Sequence, residues 1–289
     1  MLQVHKYQGS DGSPLRYGKV VDSNRPDTGK AMLFVPGLGG SVKDAHPFLE
    51  QLLPEYNPIY GPDLRGFGLN PLEDPIHAVK LIWDDLETFY QQVIVPANHT
   101  ELALCGISLG GVLSTLLAAR YPERFSRVII LAPAYRPHKQ TFSLSYTIRN
   151  TLAFLLKGKK ARTMLPYGIS AVTNNPVILN DPQYTEHPPL VLSPGFLLSV
   201  RDYCNAAFSE IRNIKIPTMM VIPGQDLVCD PIAMKQGFDR LPADTPKLCR
   251  EYPDFYHDVL FEARHSEIAQ EILGWPDSLT SRAASVASI

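Results

Sequence analysis

Long apolar runs are missing from this chain. No window reaches the roughly 18 apolar residues of a membrane-spanning helix, and Met1-Leu2-Gln3-Val4-His5-Lys6-Tyr7 has no apolar core of signal-peptide length. Cysteine is scarce: the four, Cys105, Cys204, Cys229 and Cys249, lie far apart and form neither a CxxC motif nor the spacing of a zinc site. An excess of one charge is missing too. The 27 Lys and Arg oppose 29 Asp and Glu, and no basic run supplies a footprint for nucleic acid. Together these absences lead us to expect a soluble, cytoplasmic protein of a reducing compartment, without a nucleic-acid partner.

What is present is a regular alternation. With 289 residues, 45% of them hydrophobic, the chain can bury a substantial core. Residues 2–8 and 15–21 read as paired strands joined by Gly9-Ser10-Asp11-Gly12. Buried strands are expected at 31–35, 57–61, 101–107, 127–131, 217–222 and 247–252. Between them lie helical patterns, including 76–95, 231–241 and 260–273. This order predicts an α/β protein with a mostly parallel eight-stranded sheet, helices covering both faces. One interruption, 134–213, is too long for a structureless loop and carries apolar residues at helical spacing, among them Phe196, Val200, Tyr203, Ala207, Phe208 and Ile211. We read it as a helical cap on a core of 1–133 and 214–275, with a disordered tail over 276–289.

The most informative stretch is Gly106-Ile107-Ser108-Leu109-Gly110. An apolar strand enters it and a helix leaves it, the sequence form of a turn that presents a serine at its apex. A glycine-rich turn before an ordinary helix is the alternative, and suitable partners for the serine decide between them. A serine hydroxyl needs a base, and the base needs a carboxylate to orient it. In such a sheet these should follow strand ends, in the order Ser, Asp, His. Asp226 follows the strand ending at Ile222, and His257 follows the one ending near Tyr252. Asp230 competes with Asp226, but Pro231 marks it as a helix cap. Asp254 and Asp258 read as loop and cap residues. Backbone amides of Leu109 and of Leu38, in the loop Gly37-Leu38-Gly39, are the expected oxyanion donors.

Taken together, Pro36-Gly37-Leu38-Gly39-Gly40, Asp63-Leu64-Arg65-Gly66-Phe67-Gly68, the serine turn, Gly224-Gln225-Asp226 and His257 with Glu262 resemble a serine α/β-hydrolase, specifically the monoacylglycerol lipase and lysophospholipase group. The resemblance covers about 31–262. It implies an α/β-hydrolase fold in which Asp63 and Arg65 brace a loop rather than react. The chain departs from that group at Pro36, where its members usually carry histidine. A serine rather than an aspartate at the apex argues against epoxide hydrolase or dehalogenase chemistry.

The resulting expectation is an ester hydrolase acting on acyl chains through an acyl-serine, with a Ser108–Asp226–His257 triad, no metal and no organic cofactor. Thioesterase, acyltransferase and carbon–carbon hydrolase chemistry would suit the same residues, and a ligand receptor is the non-enzyme alternative. The substrate would be a small acyl ester, lipid included, and the oligomeric state is not readable. Phe142, Tyr146, Phe154, Phe196 and Tyr203 are candidates to line an acyl cleft. Thr151-Leu152-Ala153-Phe154-Leu155-Leu156, followed by Lys157, Lys159 and Lys160, is a candidate membrane-surface contact, with a buried cap helix as its alternative.

Overall fold

Apolar runs that do not alternate are satisfied only where a strand is covered on both faces. The computed structural model describes residues 1–25, 28–72, 76–185 and 190–286. An antiparallel pair, β1 (Leu2–Gln8) and β2 (Pro14–Val20), opens the chain and is followed by β3 (Lys30–Val35), α1 (Val42–Leu52) and β4 (Ile59–Pro62). Next come α2 (Val79–Phe89), a π-helical turn at Tyr90–Ile94 and the single turn α3 (Val95–Ala97). The serine strand β5 (Glu101–Ile107), α4 (Leu109–Arg120) and β6 (Arg127–Leu131) complete the first part. An insertion then holds α5 (Leu144–Lys157), β7 (Thr163–Met164), α6 (Pro176–Leu179), α7 (Pro182–Thr185), β8 (Val191–Leu192) and α8 (Pro194–Glu210). The sheet resumes with β9 (Thr218–Pro223), α9 (Pro231–Asp239), β10 (Lys247–Tyr252) and α10 (His265–Val286).

The main sheet has eight strands in the order β1-β2-β4-β3-β5-β6-β9-β10, antiparallel at its β1–β2–β4 edge and parallel elsewhere. Its central strands are almost wholly buried, as β3, β5, β6 and β9 must be when helices cover both faces. From β3 the chain crosses to β4 on one side, and from β5 it crosses to β6 on the other. The strand order therefore reverses between β3 and β5. A crevice opens at the carboxyl ends of such a pair, which here carry Gly37 and Ser108.

Several boundaries differ from the sequence reading, among them the last helix, expected from 260, which begins at His265. The helix expected over 76–95 begins at Val79 and passes into a π turn, near which Pro96 has no N–H to give the ladder. The backbone of α10 runs on past Pro276 to Val286, through the segment expected to be a disordered tail. Residues 287–289 lie outside the described residues.

The loop after β4 is held by charge. The Asp63 carboxylate accepts from Ser41 Oγ at 2.8 Å, Val42 N at 2.7 Å and Leu69 N at 2.8 Å. Arg65 makes a two-pronged pair with Asp85, at 2.7 and 2.9 Å, and a second with Asp11, at 2.8 and 3.1 Å. Both Arg65 and Asp85 side chains are only 4% exposed. Removing one partner of such a pair strands the other charge out of water. Arg65→Ala should therefore lower unfolding free energy by about 3–5 kcal/mol, read as a shift in the urea midpoint.

Candidate active site

Ser108 sits between β5 and α4 with φ +57° and ψ −118°, a conformation costly for a residue with a side chain. Its neighbours show why the turn is tolerated. A Cβ on Gly106 would lie 2.3 Å from Gly110 O and Ser114 Oγ, and one on Gly110 only 2.0 Å from Val35 O. Both positions thus require glycine, and α4 starts packed directly against the end of β3.

The turn aims the hydroxyl at a histidine. Ser108 Oγ lies 2.9 Å from His257 Nε2, and His257 Nδ1 lies 2.6 Å from Asp226 Oδ2. The remaining Asp226 oxygen accepts from the Val228 and Cys229 amides, each at 2.7 Å. Ionised, Asp226 can only accept, so Nδ1 carries the imidazole proton and Nε2 is left to accept from the serine hydroxyl. Asp226 and His257 are both buried. Burial by itself would push the imidazole pKa down, but the Asp226 charge and hydrogen bond outweigh it, so the net shift is upward. Asp230, the competing acid, caps α9 by accepting from Ile232 N at 2.9 Å. Asp254 pairs with Arg264 at 2.9 Å, outside this arrangement.

Of the two expected oxyanion donors, Leu109 adjoins Ser108 in the chain and Leu38 follows a residue that packs against it. Leu109 is the first residue of α4, where helix geometry leaves the N–H without an intrahelical acceptor. The Gly37 loop lies against the serine, since a Cβ there would sit 3.1 Å from Ser108 Cβ, and Leu38 follows it.

The five aromatics are distributed over several contacts. Phe196 is buried with its ring 6.2 Å from Phe67, and Tyr203 lies 6.2 Å from the Trp83 ring, so both help fasten α8 to the sheet-bearing part. Tyr146 donates its hydroxyl to Met164 O at 2.8 Å, and Phe142 stands edge-on to both Tyr146 and Tyr167. Phe154 is half-buried with its ring against Gly195.

Sequence reasoning missed the hydrogen bonds that hold the site's two loops. Around Asp226, His138 N donates to Val228 O at 2.9 Å, Asp230 N donates to Arg136 O at 3.0 Å, and Thr141 Oγ1 donates to Leu227 O. Around His257, Asp258 N donates to Val172 O at 2.8 Å and Asn175 Nδ2 to Phe261 O at 2.7 Å. Thr173 Oγ1 also donates to Glu262 Oε1 at 3.2 Å. Most of these bonds use backbone groups, which leave no residue signature. Cys229 was likewise unforeseen: Asp226, Cys229 and His257 offer ligand atoms within 4.8 Å of one another. Burial holds the Cys229 thiol pKa well above its ordinary value, which works against the thiolate that a metal would need.

Against known proteins, a family model described as serine aminopeptidase, S33, matches residues 26–264. The chain belongs to this family of serine hydrolases. A pimeloyl-[acyl-carrier protein] methyl ester esterase from Aromatoleum aromaticum is 25% identical over 77% of this chain and 72% of that one. The biotin biosynthesis bifunctional protein BioHC of Teredinibacter turnerae is 34% identical, but the match spans 35% of this chain and only 17% of that longer protein. Among solved structures, a soluble variant of Saccharomyces cerevisiae monoglyceride lipase with a substrate analog has a TM-score of 0.80 at 18% identity, covering 96% of this chain and 95% of that one. The Paleococcus ferrophilus monoacylglycerol lipase has a TM-score of 0.72, also at 18% identity, with 95% and 98% covered. These likenesses establish the α/β-hydrolase fold.

One carboxyl beside the site of this S33 hydrolase titrates unusually. Burial, with Asp44 and Glu262 adding to it, pushes Asp258 up to about 6 against the opposing pull of His257 and a hydrogen bond from Leu260 N. A carboxyl whose folded pKa exceeds its unfolded value of about 4 contributes stability in its protonated form. That contribution is full below about pH 4 and is lost as pH rises through about 6. Asp258→Asn should melt higher than wild type at pH 8, and the difference should vanish near pH 4 in thermal scans.

Proposed function

We propose that this serine hydrolase cleaves carboxylic esters of acyl chains through an acyl-serine formed on Ser108. The observation that carries the reading is the unbroken line of hydrogen bonds from Ser108 through His257 to Asp226 at a strained strand-to-helix turn. As the ester carbonyl approaches, His257 Nε2 takes the hydroxyl proton and Ser108 Oγ bonds to the carbonyl carbon. The oxygen that gains negative charge is met by the Leu38 and Leu109 amides, each donor worth a few kcal/mol of barrier. Asp226, fixed by two amides, stabilises the imidazolium without taking its proton. His257 then protonates the departing alcohol, the carbon–oxygen bond breaks, and a water activated by the same nitrogen releases the acid and restores Ser108.

An acyl ester substrate, lipid included, fits the esterase and lipase relatives, and the half-buried Phe142 and Phe154 are our candidates for acyl contact. Cytoplasmic placement is consistent with four free cysteines. Among the described residues no helix is long and apolar enough to cross a membrane. Turnover of monoacylglycerols, methyl esters, thioesters and aminoacyl amides of graded chain length would identify the acyl donor.

Ser108→Ala and His257→Ala should each lower kcat on the best ester by about three orders of magnitude or more. Ser108→Ala should also abolish labelling by a fluorophosphonate probe. Asp230→Asn, which touches only a helix cap, should retain turnover. The rate should rise with pH as His257 loses its proton, and Asp226→Asn should move that limb to lower pH because the charge that raises the imidazole pKa is gone. Full activity in Ser108→Ala would overturn the assignment.

A further inference from the structure

The near-neutral charge of the whole chain conceals a one-sided segment. From Ala134 to Asn180 there is no Asp or Glu, while Arg136, Lys139, Arg149, Lys157, Lys159, Lys160 and Arg162 are all cationic. The longest helix in that segment is α5, and its two sides differ. Tyr146 and Asn150 are buried, and Ala153 and Phe154 are half-buried on the same side. The other side carries Leu144, Ile148, Leu152, Leu155 and Leu156, which are 76%, 50%, 52%, 72% and 83% exposed. At 3.6 residues per turn these form one stripe along the helix. Five large aliphatic side chains on one solvent-facing stripe are a cost in water that an ordinary surface helix avoids.

We propose that this face of α5 docks on an anionic lipid bilayer, its leucines entering the acyl–headgroup boundary while Arg149, Lys157 and Lys160 stay among the phosphates. The occupant follows from charge as well as apolarity. Cations beside an aliphatic stripe match a surface that is negative at its rim and hydrocarbon beneath. A purely apolar partner would leave the lysines without counter-charge, and a purely acidic one would leave the leucines in water. Within the stretch 151–156 that the sequence offered, Phe154 turns inward against Gly195, while Leu152, Leu155 and Leu156 stay exposed. Docking by this route is shallow and reversible, and it does not depend on the ester-cleaving reading.

Flotation with vesicles of phosphatidylcholine alone, or with about 30% phosphatidylglycerol, tests the proposal on the full chain. Wild type should float with the anionic vesicles, less so as salt screens the cations. Leu155→Ser with Leu156→Ser should cut the partition coefficient at least tenfold, and Lys157→Glu with Lys160→Glu by about fivefold or more per cation, from a worth of about 1 kcal/mol each. Ile232→Ser on α9, where the side chain is 69% exposed, serves as the control and should float like wild type. Thermal melting verifies that each variant is folded, so the result does not rest on activity. Equal flotation of wild type and the α5 variants would overturn the proposal. So would equal binding to neutral vesicles, or a concentration-dependent dimer that the leucine variants dissolve, since a second copy would then cover the stripe. Capture by an acidic acyl carrier protein without vesicle affinity would likewise overturn it.

Discussion

The approach of α4 to the end of β3 is the constraint on which the site depends. With Gly110 pressed against Val35 O and Gly106 against the first turn of α4, the chain can leave β5 only through a sharp bend. Ser108 absorbs that bend at positive φ. The strain is local, and the packing that enforces it is extensive: β5 is paired on both sides, by β3 and β6, and α4 is buried along nearly its whole length. A residue held so firmly cannot relax away from His257. In the proposed reaction, much of the orientational cost of bringing hydroxyl, imidazole and carbonyl together would therefore be met during folding.

Asp226 and His257 are held differently, by loops after β9 and β10. Neither loop is secured by the sheet alone. The first residues of the insertion bond to the segment around Asp226, and residues 172–175 bond to the segment around His257. The insertion thus acts on the site from two directions before any substrate is considered. Its third anchor is α8, tied through Ser199 Oγ to Val79 N and through Ser193 Oγ to Ile76 O. A change inside the insertion can accordingly reach the hydrogen-bonded line without touching any of its three members.

Burial sets the electrostatics of the same region. The upward shift of His257 and the raised Asp258 carboxyl arise on adjacent residues, where burial makes an unpaired charge costly. Asp226 avoids that cost by accepting two amide hydrogens as well as the imidazole proton. Farther away, Asp63 and Arg65 solve the same problem structurally, each buried and each fully engaged. Their shared task is to hold the loop after β4.

How much of this was legible beforehand follows from the range of each interaction. Strands such as β3 and β5 announce themselves as unbroken apolar runs because both their faces are covered, and Gly106 and Gly110 are read directly as relief for a cramped turn. The choice of Asp226 over Asp230 was also local, since Pro231 marks the helix start that Asp230 caps. Other features were set by residues distant in the chain. The start of α2 at Val79 follows an unhelpful Ala78, and its free amide is met by Ser199 from α8. The inward turn of Phe154 needs the bare backbone of Gly195. Periodicity could place Phe154 and Leu155 on one helix, but only the packing of α5 determined which of them faces the protein. Sequence by itself determined the sheet, the serine turn and the order of its partners, because these rest on neighbours in the chain and on the period of the backbone. Tertiary structure decided the clamps on the two loops, the exposed face of α5 and the titration of Asp258, because burial and distance exist only once the chain has closed on itself.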